Sequence, residues 1–514
     1  MIDMTTQNLE KLFYPESIAV VGVSREEEKL GHVIFRVLLE NRRKGLLRAR
    51  VYGVNPRADY ILGEKVYPSV EAVPDLVDMA IIVIPANLVE SAIEDLGKKG
   101  VKVAVIVSAG FSEIGKTELE RRVVEKAERF GIRVLGPNCL GVLSAWSGVD
   151  TIFLPYTKKL GDGREVLSTP RPGRGFVALV SQSGALGVAA LDYMYGENIG
   201  LSHFVSIGNK ADIDEVDLID YLKNDPYTRV ILLYLENVKY GRKFVEIVSE
   251  VTRKKPVVAL KAGRTIAGKR AAASHTAALA GVDEIYDAAF RRAGVIRAND
   301  MEELFDLAKA LAKQPPAKGD RVGILTDGGG AGVMATDMAE MLGLRVPELV
   351  GEARDRLEEL KARGFLPEFA QVSNPVDLTG SATDKMYVET ARILLESEEI
   401  DALAILAMHH VPGIPDPIVF VKELSKIAME HAKPVVVVDI GGSEAAVLER
   451  KKFDANGLPA YPTPERAVKA LWGLVRYGEY LLRKGSFDEY VNNFLRTRTK
   501  DLINIQIIAQ VVNE

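Results

Sequence analysis

Short runs of Val, Ile and Leu alternate with longer amphipathic stretches along nearly the whole chain. A strand that is apolar on both faces must be covered on both faces, so this rhythm specifies parallel strands joined by crossover helices. In the first segment, strands are expected at 17–21, 50–54, 79–84, 103–107 and 133–135, with helices between them. They make one doubly wound α/β domain. The longest apolar runs, 103–107 and 435–438, fall far short of the ~18 residues that argue for a membrane helix.

A chain of 514 residues has room for roughly three to four such domains. The first is expected over 1–143. Residues 144–175 lose the rhythm and collect Pro155, Pro170, Pro172 and several glycines, the composition of an inter-domain crossing. A second α/β domain is expected over 176–312, opening with the apolar run 176–180. Residues 313–320 hold two adjacent prolines and read as a linker. A third domain covers 321–482, and 483–514 form a tail of mixed polarity ending in the apolar run 502–512.

The 66 Lys and Arg oppose 71 Asp and Glu, a net charge of -5 with neither sign gathered into blocks. Nucleic-acid binding through bulk charge is thereby disfavoured. The single cysteine, Cys139, cannot form an internal disulfide or a thiolate metal site alone, which fits a reducing compartment. The first thirteen residues lack the basic-then-apolar order of a secretory signal. The expectation is a cytoplasmic protein with no membrane segment and no metal site of its own.

Each domain opens with a buried strand, a turn of small residues and a helix start, where free N–H groups and the helix dipole favour an anion. The three turns contain Gly22, Ser24 and Lys29; Ser181, Gln182, Ser183 and Gly184; and Asp327, Gly328, Gly329 and Gly330. Tight turns need glycine for geometric reasons as well, so the repetition in three domains carries more weight than any one. A fourth stretch, Gly110-Phe-Ser-Glu-Ile-Gly-Lys-Thr117, satisfies the P-loop pattern. Against a nucleotide there stand its position after the fourth strand, away from the crevice where strand order reverses, and Glu113, a carboxylate inside the cradle.

Among six histidines, His275 stands apart within Gly268-Lys-Arg-Ala-Ala-Ala-Ser-His-Thr-Ala-Ala-Leu-Ala-Gly281. Small neighbours let its imidazole approach other surfaces. A largely neutral imidazole is a nucleophile able to carry a phosphoryl group. The plainer alternative is a histidine near a helix start capped by Ser274. Glu236 ends the apolar run 230–235 at the edge that faces ligands in such sheets, where it can hold one imidazole nitrogen or simply cap a helix.

Taken together, Ser17-Ile-Ala-Val-Val-Gly-Val-Ser24, Val54-Asn-Pro56, Ser108-Ala-Gly-Phe111, Gly136-Pro-Asn-Cys-Leu-Gly141, Ser181-Gln-Ser-Gly184, Ser206-Ile-Gly-Asn209, Ser274-His-Thr276, Asp327-Gly-Gly-Gly330 and Ser373-Asn-Pro-Val-Asp377 resemble, in number and order, the alpha subunit of the NDP-forming acyl-CoA synthetases, relatives of succinyl-CoA synthetase. The resemblance spans about residues 12–482. It implies a CoA-binding Rossmann-like domain followed by two flavodoxin-like ligase domains. It also implies CoA along Gly22, Ser24, Lys29, Asn55, Pro56, Arg57, Pro85 and Gly110, reaching toward Asn138. His275 falls on the family's phosphorylated histidine and Glu236 on the carboxylate that holds it. The turns at Ser181 and Asp327 fall on the helix starts that bind phosphate.

The implied reaction is acyl-CoA + ADP + phosphate ⇌ carboxylic acid + CoA + ATP, through acyl phosphate and phosphohistidine. Only about thirty residues follow Leu482. The expectation is therefore that ADP/ATP and Mg²⁺ sit mainly on a separate ATP-grasp beta subunit, in an α2β2 assembly. Two departures are visible: Ala277 where the family usually has glycine, and Arg57 where lysine is commoner. The competing readings are a CoA or acyl-CoA sensor without turnover, and a P-loop NTPase.

Overall fold

The structure, a computed structural model, describes residues 8–276 and 282–498, with only the backbone for 272–276. It divides into two compact units, residues 1–297 and 298–514. The first unit holds two large sheets and a two-stranded one, and the second unit holds one large sheet.

The first sheet has seven strands, in spatial order Tyr60–Ile61, Glu64–Tyr67, Arg50–Val54, Ser17–Val21, Met79–Ile82, Val103–Ile106 and Arg133–Leu135. All pairings are parallel except the small hairpin 60–67 at the edge. That hairpin is absent from the sequence reading because its strands are two and four residues long and half polar, too short to show a period. Ser17–Val21 lies between the second and third strands of the rhythm, so strand order reverses beside it. Ligands bind at such a reversal, outside the carboxyl ends of the strands.

The second sheet runs Ile296–Ala298, Val257–Lys261, Val230–Leu235, Arg174–Ser181, Leu201–Ser206 and Gly141–Ser144. Its last strand is antiparallel and is drawn from residues that straddle the boundary placed at 143. The crossing 144–175 carries a short hairpin, Thr157–Lys159 with Glu165–Leu167. In the second unit, the sheet order is Val376–Asp377, Val322–Thr326, Ala402–Leu406, Val435–Val438 and Ala460–Tyr461, all parallel. Both of these sheets again reverse beside their opening strand.

Helix Met301–Lys313, placed by the sequence with the second domain, lies in the second unit. Its buried Asp306 receives two hydrogen bonds from Arg466, at 2.8 and 2.7 Å. Lys309 and Lys313 reach the two oxygens of the buried Asp454 at 3.0 and 2.9 Å. The segment read as a linker is interior rather than loose: Gln314 donates to the Gly457 carbonyl at 2.7 Å and accepts from the Val435 N–H at 3.0 Å. Pro315, Pro316 and Ala317 are buried beside it.

Removing the shared carboxylate leaves the buried Lys309 ammonium and the half-buried Lys313 ammonium facing each other without their common counter-charge. Asp454→Leu is expected to cost the second unit ~3–5 kcal/mol, read by urea or thermal unfolding. A loss below ~1 kcal/mol would mean that water reaches both lysines. No helix among the described residues is long and apolar enough to cross a membrane.

Candidate active site

A cavity of about 390 Å³ opens at the reversal of the first sheet, lined by Gly22, Ser24, Lys29, Asn55, Pro85 and Ser108, among others. The backbone fixes its shape. Gly22 has φ +102°, and a Cβ there would stand 2.4 Å from the Val83 carbonyl oxygen. Helix Leu30–Arg43 begins against that turn and has no side-chain cap, so its first N–H groups remain available to a ligand. Asn55 braces the turn: its Nδ2 donates to the Val23 carbonyl at 2.6 Å while its Oδ1 accepts from the Arg57 N–H at 2.8 Å.

Five of the residues expected to contact CoA therefore line one cavity. Pro56 and Arg57 are exposed, and Gly110 follows Ala109 on its wall. Ser108, which the sequence reading did not single out as a site residue, donates to the Ile84 carbonyl at 2.5 Å and accepts from the Ile84 N–H at 3.2 Å. It ties two neighbouring strand ends together at the cavity floor.

A larger cavity, of about 1040 Å³, shares Leu30, Ser108 and Ala109 with the first and holds Asn138 and the Gln182–Gly184 turn. Loop 136–138 is sewn to loop 207–211: Asn209 N–H donates to the Pro137 carbonyl at 2.9 Å and Ala211 N–H to the Gly136 carbonyl at 3.0 Å. Asn138 Nδ2 also reaches Asn209 Oδ1 at 3.3 Å. The fit depends on Gly208, since a Cβ there would lie 2.3 Å from the Pro137 carbonyl oxygen. Thus the last loop of the first sheet and the first turn of the second face one chamber.

Helix Gly184–Gly196 starts at this chamber with Ser183 as its cap, accepting from the Leu186 N–H at 3.3 Å. Gln182 Oε1 accepts from the backbone N–H groups of Glu236 and Asn237, which locks the turn to the end of strand Val230–Leu235. Glu236 is 7 % exposed, and its Oε2 has no hydrogen-bond partner among the described residues. A buried acceptor without a donor is costly, so this oxygen is poised for one. Lys210 lies on the wall as well, bonded to the buried Glu215 at 3.1 Å and to the Asn237 carbonyl at 2.9 Å. Burial pushes the Glu215 carboxyl up, opposed by the Lys210 ammonium. Asn209, Lys210 and Asn237 were not picked out from sequence as site residues.

His275 lies near the end of helix Ile266–Thr276, and its side chain is outside the described residues, as is Ala277. Residues 502–512 of the tail are outside them too.

The P-loop stretch is filled by its own carboxylate. Glu113 accepts from the N–H groups of Gly110 and Phe111, the latter at 3.1 Å, and from Asn209 Nδ2 at 2.6 Å. Burial raises the Glu113 carboxyl, but these hydrogen bonds outweigh it and hold the group below the usual range. A phosphate would meet a charged oxygen where it needs donors. Lys116→Ala is accordingly expected to leave nucleotide turnover within about twofold of wild type; loss of ATP binding by the chain would restore the P-loop reading.

In the second unit, the turn after Val322–Thr326 leads into helix Gly329–Met341, which has Gly328 as its cap residue and no side-chain cap. Thr326 Oγ1 accepts from the Gly328 N–H at 3.0 Å. Asp327 is buried, accepts from the Met408 N–H at 2.9 Å, and is pushed up by burial to about 6. The N–H groups at Gly329 and Gly330 lie at a helix start open to an anion.

Three family models match along the chain: a CoA binding domain at residues 16–145, a succinyl-CoA ligase like flavodoxin domain at 174–311, and a ligase-CoA domain at 322–478. The chain is 43 % identical over 486 residues to the alpha subunit of ADP-forming acetate–CoA ligase I from Pyrococcus furiosus, covering 92 % of this chain and 98 % of that one. It is 38 % identical to the ADP-forming acetate–CoA ligase of Methanocaldococcus jannaschii, covering 94 % of this chain and 65 % of that protein. Among solved structures, dinucleotide forming acetyl-coenzyme A synthetase 1 of Ca. Korarchaeum cryptofilum, in complex with phosphate and ADP, superposes with a TM-score of 0.82 at 41 % identity, covering 93 % of this chain and 98 % of that one. The matched models together span both cavities and the glycine turn of the second unit, and the chain belongs to the ADP-forming acyl-CoA synthetase family, in the group of its alpha subunits.

Proposed function

We propose that this chain performs the thioester and phosphohistidine half of the reaction acyl-CoA + ADP + phosphate ⇌ carboxylic acid + CoA + ATP. The observation that carries this reading is the chamber holding Asn138 beside the Gln182–Gly184 helix start, continuous in its lining with the cavity at Gly22. CoA lies along Gly22, Ser24, Lys29, Asn55 and Pro85, with Pro56, Arg57 and Gly110 at its margin, and its thioester points to Asn138. Phosphate on the Ser183–Gly184 helix start attacks the carbonyl carbon, the C–S bond breaks, and acyl phosphate and CoA thiol result. His275 then takes the phosphoryl group and releases the carboxylate. The free oxygen of Glu236 accepts a hydrogen bond from the other imidazole nitrogen and leaves the attacking one unprotonated. Ser181 supports the turn, and the helix start at Ser183 stabilises charge on the phosphoryl oxygens; the helix start at Gly328–Gly330, in the second unit, offers N–H donors of the same kind.

An ATP-grasp beta subunit completes the cycle by receiving the phosphoryl group on ADP, in an α2β2 assembly in the cytoplasm. The alpha-subunit naming of the Pyrococcus relative supports a partner, and the greater length of the Methanocaldococcus protein agrees with the two parts being joined there. Mg²⁺ belongs with the nucleotide, whose phosphate oxygens are the hard ligands it takes.

Incubating the pure chain with acetyl-CoA and labelled phosphate tests the reading. A synthetase subunit becomes labelled on His275 and makes ATP only when the partner is added. A sensor binds CoA and stays unlabelled. Glu236→Gln should slow labelling by about tenfold to a thousandfold while sparing CoA affinity, because the group orients the nucleophile without reacting. An unchanged labelling rate would remove Glu236 from the site.

A further inference from the structure

The second unit contains a side-chain relay that this chemistry does not use. His409 follows strand Ala402–Leu406 and Asp439 follows strand Val435–Val438, so they stand at the carboxyl ends of paired neighbours. Asp439 is fully buried. Its Oδ1 accepts from the His409 backbone N–H at 3.1 Å and sits 2.8 Å from His409 Nδ1. A carboxylate at Nδ1 keeps the proton there and leaves the lone pair on Nε2. Ser443 Oγ lies 3.1 Å from that Nε2.

The surroundings hold this arrangement. Gly441 has φ +145°, and a Cβ on it would come within 3.1 Å of His409 Cε1, so the imidazole occupies the room the glycine leaves. Arg450 Nη1 donates to the carbonyls of Asp439 at 2.7 Å and Gly441 at 2.9 Å, which pins the loop carrying both Asp439 and Ser443. Ser443 is exposed and caps helix Glu444–Ala455, accepting from the Ala446 N–H at 3.2 Å. That cap uses a lone pair of the hydroxyl and leaves its O–H for His409. A solvent-facing hydroxyl, a base within hydrogen-bond reach and a buried carboxylate orienting the base are the three parts of nucleophilic acyl transfer.

We infer that Ser443, with His409 as its base and Asp439 as the positioning residue, is an acyl-accepting site for small activated acyl carbonyls, thioesters and aryl esters. Ser443 Oγ attacks the carbonyl carbon as its proton passes to His409 Nε2. The C–S bond breaks, the imidazolium returns the proton to the leaving thiolate, and acyl-serine and free thiol form. Water, deprotonated by Nε2, then attacks the ester carbonyl; the C–Oγ bond breaks, Oγ regains its proton and the acid leaves. Ser443 caps the start of helix Glu444–Ala455, whose first-turn N–H groups lack intrahelical partners and are the donors a developing oxyanion would use. None of this passes through His275 or phosphate.

The test uses the full chain, alone and with its partner, treated with a fluorophosphonate probe and mapped by peptide mass spectrometry. Labelling of Ser443 is expected. It should disappear in Ser443→Asn, which retains a side chain competent to cap the helix, and slow by about a hundredfold or more in His409→Gln. In parallel, thiol release from acetyl-CoA without ADP or phosphate should fall to background in Ser443→Asn, while ADP-forming turnover stays at the wild-type rate. A wild-type Ser443 that remains unlabelled overturns the proposal. So does labelling that is as fast in His409→Gln, or thiol release that is as fast in Ser443→Asn.

Discussion

His275→Ala is expected to abolish phosphoprotein formation and to lower net turnover by at least about four orders of magnitude. The size follows from chemistry rather than packing. On the proposed mechanism, no other group takes the phosphoryl from acyl phosphate once the imidazole is gone, and Glu236 has nothing left to orient. A buried carboxylate does not replace it. The residues expected to hold CoA lie on other elements: Gly22, Ser24 and Lys29 on the first turn, Asn55 and Pro85 on neighbouring strand ends. CoA affinity measured by calorimetry should therefore stay within about twofold of wild type. Labelled phosphate incorporation, ATP synthesis with the partner and CoA binding, read on one preparation, separate a lost nucleophile from a lost fold. Full activity in the variant would remove the phosphohistidine step. Loss of CoA binding together with turnover would show the histidine segment to be structural.

Most of this architecture is legible in the sequence because the strands are apolar on both faces. Residues 17–21, 50–54 and 133–135 are read from composition and recur with the same bounds in the structure. The opening turn of the first sheet is legible for a related reason, since Gly22 stands where the backbone leaves room for nothing larger. What escapes is whatever depends on partners distant in sequence. Helix Met301–Lys313 follows the second sheet in the chain, yet its charged groups find Asp454 and Arg466, more than a hundred residues on. The prolines at 315 and 316 look like a linker until Gln314 is seen bonding to Gly457 and Val435. Asn209 and Lys210 carry no catalytic signature of their own; they matter because loop 207–211 is drawn against loop 136–138. Glu113 is the opposite case, for a carboxylate in a phosphate pattern is a warning readable from sequence, and the structure supplies the reason.

Gly31→Ala is expected to weaken CoA binding by far more than it weakens the fold. Considered as a helix residue alone, alanine improves on glycine by about 1 kcal/mol through propensity and a less free unfolded chain. The position does not permit that gain. A Cβ on Gly31 would stand 2.1 Å from the Gly22 carbonyl oxygen, 3.0 Å from the Gly22 carbonyl carbon and 3.3 Å from Val23 Cα, all backbone atoms that cannot rotate aside. The turn cannot retreat either, because the Cβ position of Gly22 already faces the Val83 carbonyl oxygen at 2.4 Å. Helix Leu30–Arg43 must therefore shift away from the turn, taking with it Lys29 and Leu30 on the cavity wall and the helix start that would face CoA. Overpacking of this kind costs about 1–3 kcal/mol, so net stability should fall modestly. CoA affinity should fall by at least about thirtyfold, since the donors move out of reach of the ligand rather than weakening by degrees. Gly45→Ala supplies the comparison: its φ of +71° makes alanine costly, but nothing lies within 4 Å of the added Cβ. That variant should lose similar stability and keep its CoA affinity. Wild-type affinity in Gly31→Ala would mean that CoA does not use the helix start beside Gly22.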